Sequence, residues 1–404
     1  MSQKGGIMTK LLFYNGVILS EHGEINDGYL TVSDGIIERI GKGTPPALDG
    51  VYRKVDLNHH ILSPGFIDTH THGAGGADFM DGTLEAFLTA CRMHLKHGTT
   101  SIMPTSMSCF DDELFQLFDC FEQAKPIREN MPHLLGLHLE GPYFSPEQAG
   151  AQPAECMTVP FPDHFERILG RSRGNIRRWS SAPEVPGVIE LGETLRKLGI
   201  LPSIAHSDAD YDVVKKAFDA GYHHLTHFYS GMSTIHRKNG YRILGVVESG
   251  YLLDDMHIEI ICDGIHLPPE LLELIFKLKD HDHITLVTDS MRAAGMPEGP
   301  TVLGSLKYNF QCVAEDGVAK MPDRSCFAGS TATADRMIRV LVKQLHMPLW
   351  NAVKFMTQNP AKLYHIFDRT GSLSAGKNAD LLVLDSDINI EQVYVGGVRM
   401  GQDS

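Results

Sequence analysis

The 404-residue sequence contains no apolar run near the ~18 residues that a membrane span requires. It contains no block of Lys and Arg either: 36 basic residues face 50 acidic ones, for a formal charge of −14. Such a balance excludes nucleic acid and anionic membrane as natural partners. The seven cysteines (Cys91, Cys109, Cys120, Cys156, Cys262, Cys312, Cys326) are odd in number, and none has CxxC spacing. That argues against a disulfide framework or a zinc knuckle and leaves mostly buried thiols, which pack like small hydrophobes. The first ten residues lack the hydrophobic core of a signal peptide, which points to the cytoplasm. Residues 1–7 read as a loose lead-in, with Met8 as an alternative start. There is no repeat of roughly 20–50 residues and no low-complexity linker.

What is present is an ordinary globular composition, 42% hydrophobic and 21% charged. At about 150 residues per domain, the length allows two or three domains, or one large barrel with an attachment. The first part reads as short strands at 11–19, 29–33, 36–40 and 51–57, with Asp34-Gly35 as a tight turn. From residue 61, strand and helix patterns alternate. Eight apolar runs (61–67, 99–103, 134–137, 176–179, 201–205, 224–226, 258–262, 284–287) qualify as parallel strands. Segments 84–96, 112–124, 188–198, 211–220 and 268–279 carry apolar residues three or four apart, the helical period. The helical pattern is weakest after the fourth and sixth runs. Continuous apolar strands joined by helices make a parallel sheet covered on both faces, and eight such units make a TIM-type barrel. After helical stretches at 332–345 and 349–356, the tail returns to strands at 381–384 and 392–395. The expected class is α/β: a (β/α)8 barrel over 61–365, with 1–60 and 366–404 combining in a small β-sandwich domain formed by both chain termini.

Barrel chemistry sits at the C-terminal ends of the strands. The first run ends Phe66-Ile-Asp-Thr-His70-Thr-His72, and residues two apart in an extended segment point to the same side. The third run ends at Glu140, the fifth at His206, the sixth at His227 and the eighth at Asp289. Singly, each has a plainer explanation: surface imidazoles in a loop, an exposed carboxylate, a satisfied core histidine, or a cap on the next segment. Together, four of the 21 histidines and two carboxylates fall at strand ends that meet at one mouth if the fold is a barrel. These are suitable ligands for one or two divalent transition ions.

The sequence resembles the amidohydrolase superfamily at two ends, Pro64-Gly-Phe-Ile-Asp-Thr-His-Thr-His72 and Gly371-x-Leu-x-x-Gly376-x-x-Ala379-Asp380. Within it, the sequence is similar to the N-acetylglucosamine-6-phosphate deacetylases. The carrying motifs are His138-Leu-Glu-Gly-Pro142, Ala182-Pro-Glu184, Ala205-His-Ser207, Thr226-His227, Asp263-Gly-Ile-His266 and Val287-Thr-Asp289, and the likeness spans about residues 10–400. The resemblance implies that Glu140, His206 and His227 hold the main metal and that His70 and His72 complete a second site. The cofactor would be one or two divalent ions per subunit, zinc or iron(II). It implies Asp289 as the general base that takes a proton from the attacking water and returns it to the leaving amine. His266 would contact the acetyl oxygen. The products would be acetate and an amino-sugar phosphate, in amino-sugar catabolism.

The phosphate end departs from the family. Where its members read Asn-Ala-Met, this sequence has Tyr229-Ser230-Gly231-Met232, so Ser230 and Gly231 are the candidates for holding the anion through the backbone. A family Arg, often donated by the neighbouring subunit, matches Arg237, with Arg242 as a rival; a planar guanidinium suits phosphate oxygens. A family His is Gln152 here, able to hydrogen-bond a sugar hydroxyl without carrying charge. A donated Arg237 implies a homodimer or larger homo-oligomer. Other readings of the same residues remain open at this point. They are an N-acetylgalactosamine 6-phosphate deacetylase, an N-acyl amino acid deacylase, a nucleobase deaminase, or a non-catalytic barrel that binds a sugar phosphate.

Overall fold

The computed structural model describes residues 10–401 apart from 46, 49 and 308; the lead-in 1–7 and Met8 lie outside them. The structure is mixed α and β. The central strands are β1 (Phe66–Thr71), β2 (Thr99–Pro104), β3 (Leu137–Glu140), β4 (Ile176–Ser181), β5 (Leu201–Ile204), β6 (His224–Leu225), β7 (His257–Ile260) and β8 (Ile284–Leu286). They are buried almost throughout, as strands covered on both faces must be. β3 to β8 form a continuous parallel sheet in chain order, and β1 pairs in parallel with β2. An isolated parallel bridge, Thr105 to His138, links the end of β2 to β3. Past the end of β8, Asp289 N donates to His70 O at 2.9 Å and His72 N to Ser290 O at 2.8 Å, so the last strand end lies beside the first.

A helix follows each of the first seven strands: Leu84–Lys96, Asp111–Ala124, Pro162–Arg171, Val188–Lys197, Tyr211–Ala220, Val246–Leu252 and Pro269–Leu278. Pro162–Arg171 lies outside the five segments read as helical, although it buries Phe165 and Ile168 three residues apart; it starts on a Pro, which fits the first turn where an amide has no partner. After β8 comes a four-stranded antiparallel sheet, Gly299–Leu303, Phe310–Glu315, Val318–Lys320 and Phe327–Ser330, before helix Ala334–Lys343. No described helix is long and apolar enough to cross a membrane.

The chain ends meet in one eight-stranded sheet. Val398–Arg399, Ile390–Val395 and Leu381–Leu384 continue into Ile61–Pro64, Leu11–Ser20, Gly23–Ser33 and Ile36–Lys42, with Arg53–Asp56 also on Leu11–Ser20. The apolar run 61–67 is therefore divided. Its first half pairs with Leu381–Leu384 and its second half becomes β1. The chain changes sheet at Gly65, where a Cβ would lie 2.1 Å from Thr100 Oγ1, so only hydrogen fits.

Helix Ala334–Lys343 is tied to the end of the first helix by Asp335, whose carboxylate meets His97 Nδ1 at 3.1 Å and Arg339 Nη1 at 2.9 Å. Burial alone would raise this carboxyl, but the His97 hydrogen bond and charge and the Arg339 charge hold it down at about 2. The folded value lies below the unfolded one, so the stabilisation is present above about pH 4 and is lost as pH falls toward 2. The difference corresponds to about 2 kcal/mol. Asp335→Asn is expected to destabilise by about that amount at pH 7 and by much less at pH 2, read as the gap between thermal unfolding curves. An equal gap at both values would remove the carboxylate from the account.

Candidate active site

The strand ends bring the six chemistry-bearing side chains together. Two groups have ligand-type atoms close enough to share an ion: His70, His72 and Glu140, and Glu140, His206 and His227, all buried. Glu140 is common to both. Its Oε1 stands 2.9 Å from His227 Nε2, 3.4 Å from His206 Nε2 and 3.7 Å from His70 Nε2. Its Oε2 stands 3.2 Å from His72 Nε2. Asp289 Oδ1 lies 3.2 Å from His72 Nε2 and 3.4 Å from His70 Nε2. His206, His227 and Asp289 all have positive φ, at 45°, 34° and 44°. A non-glycine residue pays about 1–2 kcal/mol for that conformation, so the turns after three strands are bent to aim these side chains.

The donor set fits a metal. A ligating imidazole needs one bare nitrogen, with its other N–H fixed by an acceptor. His70 Nδ1 meets Glu259 Oε1 at 2.8 Å, His206 Nδ1 meets Gln148 O at 2.8 Å and His227 Nδ1 meets Ser230 O at 3.1 Å. Each leaves Nε2 turned toward Glu140. His72 Nδ1 is buried without a partner among the described residues.

A cavity of about 260 Å³ opens over these atoms, lined among others by His72, Glu140, Gln152, His206, His227, Ser230, Gly231, His266 and Asp289. Its lining also includes the apolar Met107, Leu303 and Phe327, the last two from the antiparallel sheet after β8. His266 is held by Asp263, whose Oδ2 meets Nδ1 at 2.7 Å, and its ring stacks obliquely on Phe327 at 4.6 Å.

Residues 61–400 match the Amidohydrolase family. The chain belongs to that family. It is 32% identical to the N-acetylglucosamine-6-phosphate deacetylase of Bacillus subtilis (strain 168) over 385 residues, 94% of each protein. It is 29% identical over 380 residues to the N-acetylgalactosamine-6-phosphate deacetylase of Escherichia coli O157:H7, covering 94% of this chain and 96% of that one. Among solved structures it is similar to the N-acetylglucosamine-6-phosphate deacetylase of Pasteurella multocida, with a TM-score of 0.89 and 27% identity over 97% of this chain and all of the other. A mutant of the Mycobacterium smegmatis enzyme in complex with N-acetyl-D-glucosamine-6-phosphate gives 0.88 and 28%, over 97% and 99% of the two chains.

Within this amidohydrolase site the charges support one another. Burial alone would raise the Glu140 carboxyl, but when the imidazoles are protonated, hydrogen bonds from His206 and His227 and the charge of His70 hold it well below the usual carboxylate range; with neutral imidazoles a bound cation would supply that positive charge instead. The same opposition, with His70 and His72 outweighing burial, lowers Asp289. Deeper in, burial pushes the Asp68 carboxyl up to about 7, even though it accepts from Thr288 Oγ1 at 2.6 Å.

Two expected substrate residues sit differently from the rest. Gln152 lines the cavity, but its Nε2 donates to Glu140 Oε2 at 2.7 Å and its Oε1 accepts from Ser108 N at 2.8 Å. Arg237 is not brought to the cavity of its own chain. It lies exposed on the hairpin His236–Lys238/Tyr241–Ile243, directly opposite Arg242. The described lining residues include no Arg or Lys. Sequence reasoning missed Glu259 and Arg178, and gave Glu184, quoted within Ala182-Pro-Glu184, no role. The first two are charges inside apolar runs, a visible signal, since a buried charge is rare without a task. Glu184 fixes the turn after His206 by accepting from Ser207 Oγ at 2.8 Å and from Asp208 N at 2.5 Å.

Proposed function

We propose that this chain is a divalent-metal-dependent deacetylase that converts N-acetylglucosamine 6-phosphate to glucosamine 6-phosphate and acetate, in amino-sugar catabolism. The carrying observation is the convergence of three imidazoles, each with its Nδ1 already satisfied, on Glu140, with His72 and Asp289 at the same mouth. The full-length likeness to enzymes of that name supports the substrate.

In this reading the eight strands close as a (β/α)8 barrel that begins at Phe66 and runs to about 365, with Ile61–Pro64 joining 1–60 and 366–404 in a β-sandwich domain beside it. Glu140, His206 and His227 hold one ion; His70 and His72, with Glu140, hold the second. Zinc or iron(II) suits imidazole and carboxylate ligands. A bound ion of this kind polarises a carbonyl and lowers the pKa of water toward neutrality.

The protein's own groups do the rest. Asp289 accepts a proton from the attacking water as its oxygen bonds to the acetyl carbon. It then delivers that proton to the amine nitrogen as the C–N bond breaks. His266, oriented by Asp263, contacts the acetyl oxygen, and in its protonated form it donates from Nε2 as negative charge develops there. The second amide hydrogen of Gln152 serves a sugar hydroxyl. Ser230 and Gly231 bring backbone to the phosphate, and Arg237 comes from a neighbouring subunit, so the working unit is at least a homodimer. A monomer with full activity at nanomolar concentration would overturn that last point. A catabolic enzyme for a phosphorylated sugar, which does not cross membranes, is cytoplasmic.

Gly231 has a second duty. Its φ is +57°, and a Cβ there would lie 2.8 Å from His206 Nδ1 and 3.2 Å from Gln148 O, the carbonyl that orients His206. Gly231→Ala is expected to displace that imidazole and weaken metal uptake roughly tenfold, the equivalent of the ~1–2 kcal/mol backbone penalty. Unchanged uptake in a metal titration would show that the loop yields without moving His206.

The similarity to an N-acetylgalactosamine-6-phosphate deacetylase favours the 4-epimer as the second reading. The test is acetate release from both phosphorylated epimers and from unphosphorylated N-acetylglucosamine. Faster release from N-acetylglucosamine 6-phosphate than from the other two is expected. Preference for the galacto sugar would replace the substrate, and no release from any of them would return the site to acyl amino acids or nucleobases.

A further inference from the structure

Beneath the converging imidazoles lies a fully buried ion pair that the chemistry above does not use. Glu259 on β7 and Arg178 on β4 are both 0% exposed, and Arg178 Nη1 donates to Glu259 Oε2 in close contact. Arg178 Nη2 lies 2.7 Å from His138 Nδ1, so that nitrogen accepts, and His138 Nε2 donates to Ser180 Oγ at 2.7 Å. A buried ion pair is a poor source of stability, since an apolar pair of similar volume serves as well or better. Glu259 stands between Ile258 and Ile260 in a buried strand, where packing alone would select a hydrophobe.

What the pair does is visible at the other carboxylate oxygen. Glu259 Oε1 takes His70 Nδ1 at 2.8 Å and, more distantly, His227 N at 3.3 Å. Arg178 is always cationic and keeps Glu259 an anion, so Glu259 can only accept. The ring proton of neutral His70 must then sit on Nδ1, leaving Nε2 bare toward His72 and Asp289. The other group is oriented differently: His206 and His227 are fixed by the backbone carbonyls of Gln148 and Ser230. His72 has no partner at Nδ1 among the described residues. Glu259 is thus the side chain that orients an imidazole of the group His70, His72 and Glu140.

We infer that Glu259, anchored by Arg178, is a positioning residue that sets the tautomer and rotation of His70, and through it the affinity of the His70–His72–Glu140 metal site selectively. This rests on the metal reading above and not on the sugar.

The experiment is zinc titration of chelator-stripped protein by calorimetry, without substrate. In Glu259→Gln one binding step is expected to weaken by about 10–100-fold, the usual effect of removing an outer partner of a ligating His. The other step stays within about threefold of wild type, an allowance for two fits of one titration. Glu259→Asp, which keeps the charge beside Arg178 but withdraws it from His70, gives the same pattern if Glu259→Gln fails to fold. Added to His72→Ala, which already lacks that site, Glu259→Gln changes nothing further.

Nitrogen NMR of the wild-type, metal-free protein at mildly alkaline pH reads the tautomer directly and needs no variant; Nδ1–H at His70 is expected. Identical titrations for wild type and both variants, however many ions they bind, or an Nε2–H tautomer at His70, overturn the inference. A chain that shows the selective loss but releases no acetate from any amino sugar overturns the substrate reading and leaves this one standing.

Discussion

Replacing Asp289 by Asn lowers kcat by at least about 100-fold, the low end of what a positioned acid–base group contributes, while sugar binding and metal content stay near wild type. The backbone of Asp289 is fixed on both sides: its N–H donates to His70 O at 2.9 Å and its carbonyl accepts from Ser330 N at 2.8 Å. Asn fits the same place. What it loses is the ability to take a proton from water and return it to the amine, and an amide C–N bond breaks slowly unless its nitrogen is protonated. The loss therefore falls on kcat rather than on KM. Steady-state rates paired with metal analysis check this. An Asn variant within tenfold of wild type, with metal bound, would move the base elsewhere, and a binding protein without catalysis would show no rate to lose.

Glu140→Gln is expected to have the other large effect, on the metal itself. Glu140 belongs to both ligand groups, and its two oxygens serve different imidazoles, His227 and His206 at Oε1 and His72 at Oε2. The amide keeps the size but removes the anion. It also places an NH2 where an acceptor is needed, opposite the Gln152 amide that now donates to Oε2 at 2.7 Å. Metal uptake should fall by more than the ~100-fold upper end seen for outer-shell partners, and turnover should fall with it. Elemental analysis after exhaustive dialysis decides the matter: a Gln variant that retains its metal and its full rate would refute the ligand assignment.

Much of this site could be read from the sequence because each chemical residue stands at or just past the end of an apolar run, where polar residues or a breaker often follow. Glu140 before Gly-Pro and Asp289 after Leu286-Val287-Thr288 are of that kind. Strand topology then gathers residues far apart in sequence, as with His70 and Asp289, which a backbone bond joins. Glu259 and Arg178 escaped because run-finding treats a charge inside a strand as noise, whereas here the charges face each other across the strands. The sheet over 299–330 escaped because its strands are three to six residues long and mix polar with apolar side chains. Its one clear signal was Asp316-Gly317, both at positive φ, the hairpin-turn signature. Gly65 hid a change of sheet inside one apolar run, since a pattern of hydrophobicity does not register which neighbour a strand chooses. Arg237 shows the limit from the other side: the residue can be read, but the fold does not bring it to the cavity of its own chain.

The central claim is hydrolysis that depends on metal held by these converging side chains. Its most direct test is acetate release from N-acetylglucosamine 6-phosphate by protein stripped with a chelator and then reloaded with zinc or iron(II) in steps. The account predicts that stripped protein is inactive and that the rate returns in proportion to metal bound. Full activity in the metal-free protein, or metal-loaded protein that releases no acetate, would contradict it.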